Sequence, residues 1–306
     1  MTKYSKTIVI LAGPTAVGKT SLSIELAKQF NTEIISADSR QFYREMELGT
    51  AKPSKREMDG IVHHFINSHS IHDEYNVGDF EKDSLNLLSE LFLKYDVVFV
   101  VGGSGLYVKA LCEGIDEMPK IPQELRAQLN DEYLKFGLEY LQNELQAVDP
   151  EYYSIVDQQN PQRLIRALEL FRATGKNMTY YRAQTSKVER PFNIIKIGLE
   201  RPREELYQRI NLRMDQMIAA GLFEEANELY PFKNLNALQT VGYSEIFGYL
   251  DGDYDKEEAI RLLKRNSRRY AKRQMTWFKK DTEFKWFSPI DENFIREYIK
   301  NSLNKI

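Results

Sequence analysis

The stretch GPTAVGKT, residues 13–20, limits the folds open to this chain more than any other part of it. It follows the apolar run TIVILA and opens onto KTSLSIELAKQF, where Leu22, Leu26 and Phe30 recur every four residues. A strand, a glycine loop and an amphipathic helix therefore come in order, and the loop matches G-x-x-x-x-G-K-[ST] at every required position. Its glycines let the backbone wrap, so that successive N–H groups and the helix N-terminus meet phosphate oxygens. Gly13, Pro14, Thr15, Ala16, Val17 and Gly18 would form that cradle; Lys19 adds a cation and Thr20 a hydroxyl placed for Mg²⁺. The pattern specifies phosphate, not ATP, because a diphosphate on any carrier presents the same oxygens.

Two further segments read as strands of the same sheet. TEIISADS (32–39) and DVVFVVGGSG (96–105) are Ile/Val runs ending in small or polar residues, as expected of parallel strands covered on both faces. The helix before the second carries Leu85, Leu88 and Phe92 at helical spacing. Right-handed crossovers would bring Gly13, Asp38 and Gly102 to one sheet edge, where open α/β proteins place their ligands. From 117 to 189 the pattern is helical only, and Asp149-Pro150 and Asn160-Pro161 each read as an N-cap followed by proline at the first helical position. FNIIKIGLE (192–200) returns as a strand, and a helical remainder follows. The expected class is α/β: a P-loop NTPase-like parallel sheet core flanked by helices, from residues 1–116 and 190–306, with an inserted all-helical domain at 117–189.

Composition narrows the setting. A chain of 306 residues, 42% hydrophobic and 28% charged, is ordinary for a globular protein. The lone Cys112 leaves no intramolecular disulfide and no cysteine-based zinc site, and no apolar stretch nears the roughly 18–20 residues that cross a bilayer. A cytoplasmic monomer with no membrane partner is expected. The net charge of −3 decides nothing about a polyanionic partner, because the placement of charge matters more than its sum.

Several local patterns carry chemistry and a plainer alternative together. Asp38, at the end of the second strand, can be a magnesium ligand, a general base or the cap of the following turn. Ser39, Arg40, Gln41 and Tyr43 beside it supply groups of the kind that recognise an unstacked base. Gly102, Gly103 and Gly105 around Ser104 allow a close backbone approach to a ligand, or simply a tight turn. The adjacent His63 and His64 lack a third ligand at a recognisable interval, so a metal reading is rejected. The segment RLLKRNSRRYAKRQMTWFKK (261–280) contains no acidic residue, and its pairs Lys264-Arg265, Arg268-Arg269 and Lys272-Arg273 repeat every four residues. On a helix these form one basic face, with Leu263 and Tyr270 opposite for packing, and a one-sign face suggests a nucleic-acid backbone as partner.

Taken in order, GPTAVGKT, ISADSRQFYREMELGTAKP, VVGGSGLY, NPQRLIRALE, QRINLRMDQMIAAGL, LQTVGYSE and RRYAKRQMTWF resemble the bacterial tRNA dimethylallyltransferase family over nearly the whole chain. The resemblance implies transfer of the dimethylallyl group from dimethylallyl diphosphate to the exocyclic N6 of an adenosine. That adenosine is the one 3′ of the anticodon, in tRNAs reading codons that begin with U; the products are N6-isopentenyladenosine and diphosphate. It implies Asp38 as general base, with Lys19, Thr20 holding Mg²⁺, the loop N–H groups and Arg213 neutralising the departing diphosphate. It implies Ser104 as a catalytic residue in contact with the active centre, where the family commonly has threonine; Arg40 stands where the family commonly has an apolar residue. Ser39, Arg40 and Gln41 fall at the base pocket. Gln162, Arg163, Leu164, Ile165 and Arg166, together with Arg268, Arg269, Lys272, Arg273 and Gln274, match tRNA-contacting segments, and Arg126 matches a residue near the incoming base.

Three rivals remain on the sequence alone. An isopentenyltransferase of free adenine nucleotides shares the loop and the aspartate but needs neither the basic helix nor the inserted domain. A P-loop phosphotransferase would show a pair of phosphate-gripping lid arginines. A nucleotide-gated RNA-binding protein would have no chemistry.

Overall fold

A computed structural model describes residues 6–115, 118–183 and 188–305. Within it, β1 (Thr7–Ala12), β2 (Ile34–Ser36), β3 (His63–His64), β4 (Val97–Gly102), β5 (Asn193–Leu199) and β6 (Lys285–Phe287) form one parallel sheet in the order β3-β2-β4-β1-β5-β6. β1 runs between β4 and β5, with Thr7 level with Val97 and Asn193. All six residues of β1 are buried, and its side chains alternate between two apolar layers. Val9 and Leu11 join Leu22 and Leu26 of the helix Lys19–Phe30; Ile8 and Ile10 join Phe80 and Leu88 of the helix Val77–Leu91. Each such side chain contributes about 1.5–3 kcal/mol of burial. That two-sided demand is why the strand reads as an unbroken apolar run.

The differences from expectation lie at strand ends and sheet edges. β2 pairs over three residues, because Asp38 turns the chain by accepting the Arg40 N–H at 3.0 Å. β3 and β6, at the two edges, span two and three residues and contain His63, His64 and Lys285, so no apolar run announces them. The helix Val77–Leu91 buries Phe80, Ser84, Leu88 and Leu91, whereas Leu85 and Phe92 lie at the margin of the layer.

The chain divides into two compact units, Met1–Glu113 with Glu189–Ile306, and Gly114–Val188. The expected boundary at 116/117 lies outside the described residues. The second unit is helical among its described residues and has its own core, in which Leu129, Leu141, Leu145, Leu164, Ile165 and Leu168 are at most 1% exposed. Asp149 and Asn160 cap its helices by accepting the N–H of Tyr152 and Arg163, each with proline at the start of the helix. No described helix is long and apolar enough to cross a membrane.

Candidate active site

The carboxyl ends of β1, β2 and β4 deliver the glycine loop, Asp38 and Gly102 to one edge. The approach is close: a Cβ on Gly102 would lie 2.2 Å from the Ala37 carbonyl oxygen, so only glycine fits. Gly18 caps the loop helix at φ 115°, a region that side chains avoid, and Ala16 is held at φ 62°. Two arginines hold this loop from behind. Arg209 Nε donates to the Ala16 carbonyl at 2.8 Å, and Arg201 Nε to the Val17 carbonyl at 2.7 Å. These bonds fix the loop's two carbonyls, while the Val17 N–H turns back to the Pro14 carbonyl at 3.4 Å.

Two cations meet at the mouth of that cradle. Lys19 Nζ donates to the carbonyls of Gly13 and Pro14 at 2.9 and 2.8 Å. Burial lowers its ammonium to about 8; the Asp38 charge works against that, and Arg213 adds to it. Arg213 forms no hydrogen bond or ion pair among the described residues, and burial, then Arg209, also lower its proton affinity. An arginine stays charged in any protein setting. A partly buried guanidinium without a partner, beside a lysine, is a place waiting for an anion.

The depressed Lys19 value has a measurable consequence. A bound diphosphate favours the ammonium, so above about pH 8 the complex must regain a proton that the free protein has lost. Affinity for inorganic diphosphate is therefore expected to be full below that pH and to weaken by up to about tenfold per unit above it. Calorimetric titrations between about pH 6.5 and 9.5 check this. The Lys19→Ala variant should lack the decline beyond what diphosphate's own titration gives; parallel curves would remove Lys19 from the anion site.

Asp38 shares a small cavity with Lys19, Thr20, Ser36, Gln41 and His63. One carboxylate oxygen is engaged in the turn to Arg40, so the cap reading is realised; the other makes no hydrogen bond among the described residues. Ser104 reaches Asp38 only through the turn: its hydroxyl accepts the Ser39 N–H at 2.9 Å and donates to the Ser39 hydroxyl at 3.1 Å. Gln41 is held by Ser36 at 3.3 Å and by the carbonyls of Thr50 and Ala51 at 3.3 and 3.4 Å, and Arg40 donates to the Asn236 carbonyl at 3.0 Å. Tyr43 does not fit a base-stacking role, because it is 4% exposed and packed in a core layer.

Tyr270, which helical spacing places on the packing side, is a neighbour of Asp38. Burial, then the Asp38 charge, pushes its hydroxyl up to about 12; Tyr107 reaches about 12 chiefly by burial, with Tyr43 and Asp38 also raising it. His63 Nδ1 donates to the Ile61 carbonyl at 2.9 Å, and His64 Nε2 meets Glu33 at 2.6 Å.

The basic helix Lys256–Phe278 buries a seam of Ala259, Leu263, Ser267, Ala271, Gln274 and Phe278. Its basic face is narrower than the spacing suggested. Lys264 pairs with Asp215 at 2.5 Å, and Arg268 donates to Asn211 at 2.6 Å, both partners on the helix Arg203–Ala219. Arg269, Lys272 and Arg273 are exposed. Gln274 is 6% exposed with both ends of its amide bonded inside the protein, so it does not offer the surface contact expected of it.

In the helical unit, Gln162 and Arg163 are exposed, Arg126 is 48% exposed at its side chain, and Arg166 38%. Arg126 donates to Gln162 at 3.1 Å, while Arg166 and Arg126 lie 2.6 and 3.7 Å from the buried Glu169. Leu164 and Ile165 are corrected: both are 0% exposed in that unit's core, where no RNA can touch their side chains.

The pattern of the IPP transferase family matches residues 41–281. The chain is 53% identical over 305 residues to the tRNA dimethylallyltransferase of Cytophaga hutchinsonii, covering 100% of both chains. It is 54% identical over 302 residues to that of Christiangramia forsetii, covering 98% and 99%. Its fold resembles the crystal structure of the full-length tRNA isopentenylpyrophosphate transferase of Bacillus halodurans, with a TM-score of 0.73, 38% identity and coverage of 98% and 97%. It also resembles a eukaryotic dimethylallyltransferase acting on tRNA, with a TM-score of 0.71, 28% identity and coverage of 89% and 69%.

Proposed function

We infer the function of this chain from one premise: it belongs to the IPP transferase family. It is a tRNA dimethylallyltransferase, a prenyltransferase that moves the dimethylallyl group from dimethylallyl diphosphate to N6 of an adenosine in tRNA. The finer reading is that this adenosine is the one 3′ of the anticodon in tRNAs that read codons beginning with U. The observation that carries the reading is the juxtaposition of a diphosphate cradle, with Lys19 and the unpartnered Arg213, and a carboxylate with one free oxygen on the same sheet edge.

The chemistry follows from those positions. The N6 lone pair attacks the allylic C1 of the donor, the C1–O bond breaks, and diphosphate departs with its electron pair. Asp38 accepts the proton that N6 loses, oriented by the turn that its other oxygen makes with Arg40. Lys19, Arg213 and the N–H groups at the start of the loop helix stabilise the charge that grows on the leaving oxygens, usually the largest single catalytic contribution. Ser104 acts as a positioning residue, fixing Ser39 beside Asp38.

Magnesium fits the donors present. The Thr20 hydroxyl is a hard oxygen donor in the cavity beside the cradle, and no cluster of three metal-ligating side chains exists among the described residues. Mg²⁺ commonly takes one or two protein ligands and completes its shell with water and substrate phosphates. Bound at Thr20, it would add to the neutralisation of the diphosphate.

Mass spectrometry of tRNA nucleosides after incubation with dimethylallyl diphosphate and Mg²⁺ tests the function; absence of isopentenyladenosine would refute it, and prenylation of free AMP at equal efficiency would favour the small-molecule rival. A cytoplasmic location fits a tRNA-modifying activity.

On the basic helix, exposure narrows the proposed RNA contacts to Arg269, Lys272 and Arg273. Changing all three to glutamine is expected to reduce the log–log salt slope of tRNA binding by about 2–3 units, at 0.7–0.9 per phosphate contact. Turnover at saturating tRNA should be spared, since phosphate contacts position without reading bases. Identical salt curves for variant and wild type would make this face a merely solvated one.

A further inference from the structure

We propose that Gln274 is a positioning residue that couples the seating of RNA on the basic helix to the geometry of the donor loop, a step that rests on the transferase reading above. Its Oε1 accepts the Thr15 N–H at 2.9 Å and its Nε2 donates to the Gly103 carbonyl at 3.0 Å. Thr15 belongs to the glycine loop. Gly103 begins the turn that leads to Ser104, whose hydroxyl fixes Ser39 beside Asp38. One side chain thus joins the phosphate cradle and the turn at the general base to the helix that exposes Arg269, Lys272 and Arg273.

Packing alone does not account for this residue. Its adjacent neighbours along the seam, Ala271 and Phe278, are apolar, and a leucine would fill the space without needing partners. Only an amide of this length accepts at one end and donates at the other; a carboxylate only accepts and an ammonium only donates. Gly103 makes room for it, since a Cβ there would lie 2.3 Å from Nε2. A helix moves as a stiff body, so a displacement of its outer face by phosphate contacts reaches the inner face, and the amide passes it to both loops. Linkage then requires diphosphate to strengthen RNA binding by the factor by which RNA strengthens diphosphate binding.

The test titrates inorganic diphosphate with Mg²⁺ into the full chain, with and without a saturating unmodified tRNA transcript that reads a U-initial codon. Wild type is expected to bind diphosphate roughly tenfold more tightly with tRNA present, within the usual range of coupling. Gln274→Leu should abolish the difference while the salt slope of tRNA binding stays at the wild-type value, which a general loss of structure would not allow. Gln274→Glu keeps the acceptor for Thr15 but sets an oxygen against the Gly103 carbonyl. It should also abolish coupling, and it serves where the leucine variant does not fold. No coupling in wild type, or full coupling in both variants, overturns the proposal. Isopentenyladenosine formation is followed in parallel: product without coupling sinks this proposal alone, whereas no product from wild type sinks the transferase reading and this with it.

Discussion

Asp38→Asn is expected to lower the single-turnover rate of transfer by about 10²- to 10⁴-fold, the range for a positioned general base. Asparagine is chosen because its amide oxygen can still accept the Arg40 N–H that Asp38 accepts at 3.0 Å, so the turn at the end of β2 is kept. What is lost is the proton acceptor and its charge. tRNA affinity should change little, because it is dominated by phosphate contacts on the basic helix and not by one carboxylate. The measurement is a rapid-quench rate with both substrates saturating, beside tRNA binding at fixed salt. A near-normal rate would leave Asp38 only as the former of a turn.

That double role of Asp38 shows where sequence reading reaches and where it stops. Strand β1, the glycine loop and the loop helix were legible because each carries a constraint that is local in sequence: burial on two faces, a φ that only glycine tolerates, a four-residue apolar spacing. The caps at Asp149 and Asn160 were legible for the same reason. Features set by distant partners were not. The spacing of Lys264, Arg268 and Lys272 is uniform, yet the first two turn toward Asp215 and Asn211 on another helix and only the third is exposed. Tyr270 looked like core because helical period gives a side and cannot say what lies there. Leu164 and Ile165 were carried along with the arginines around them, although apolar residues on an amphipathic helix face inward. Arg201 and Arg209 gave no local signal at all. Their work is to hold carbonyls more than 180 residues earlier in the chain.

Arg213→Ala is expected to lower the chemical rate by about 10²- to 10³-fold, the cost of removing one preorganised group aimed at developing negative charge. The loss should fall more on the rate than on ground-state binding of the donor, because the leaving oxygens gain charge as the C1–O bond breaks. Arg213 makes no hydrogen bond or ion pair among the described residues, so its removal exposes no abandoned partner and should cost little stability. A second readout ties the effect to place. Arg213 is one of the charges that hold Lys19 down near 8, so without it the Lys19 ammonium should rise. The decline of diphosphate affinity with pH should then begin at higher pH than in wild type, while burial still keeps it below the ordinary lysine range. Arg213→Lys, which keeps the charge without the planar fork, should leave that decline near its wild-type position but recover only part of the rate. If the alanine variant slowed transfer and left the pH dependence of diphosphate binding unmoved, Arg213 would be acting away from Lys19, and the shared anion site would have to be redrawn without it.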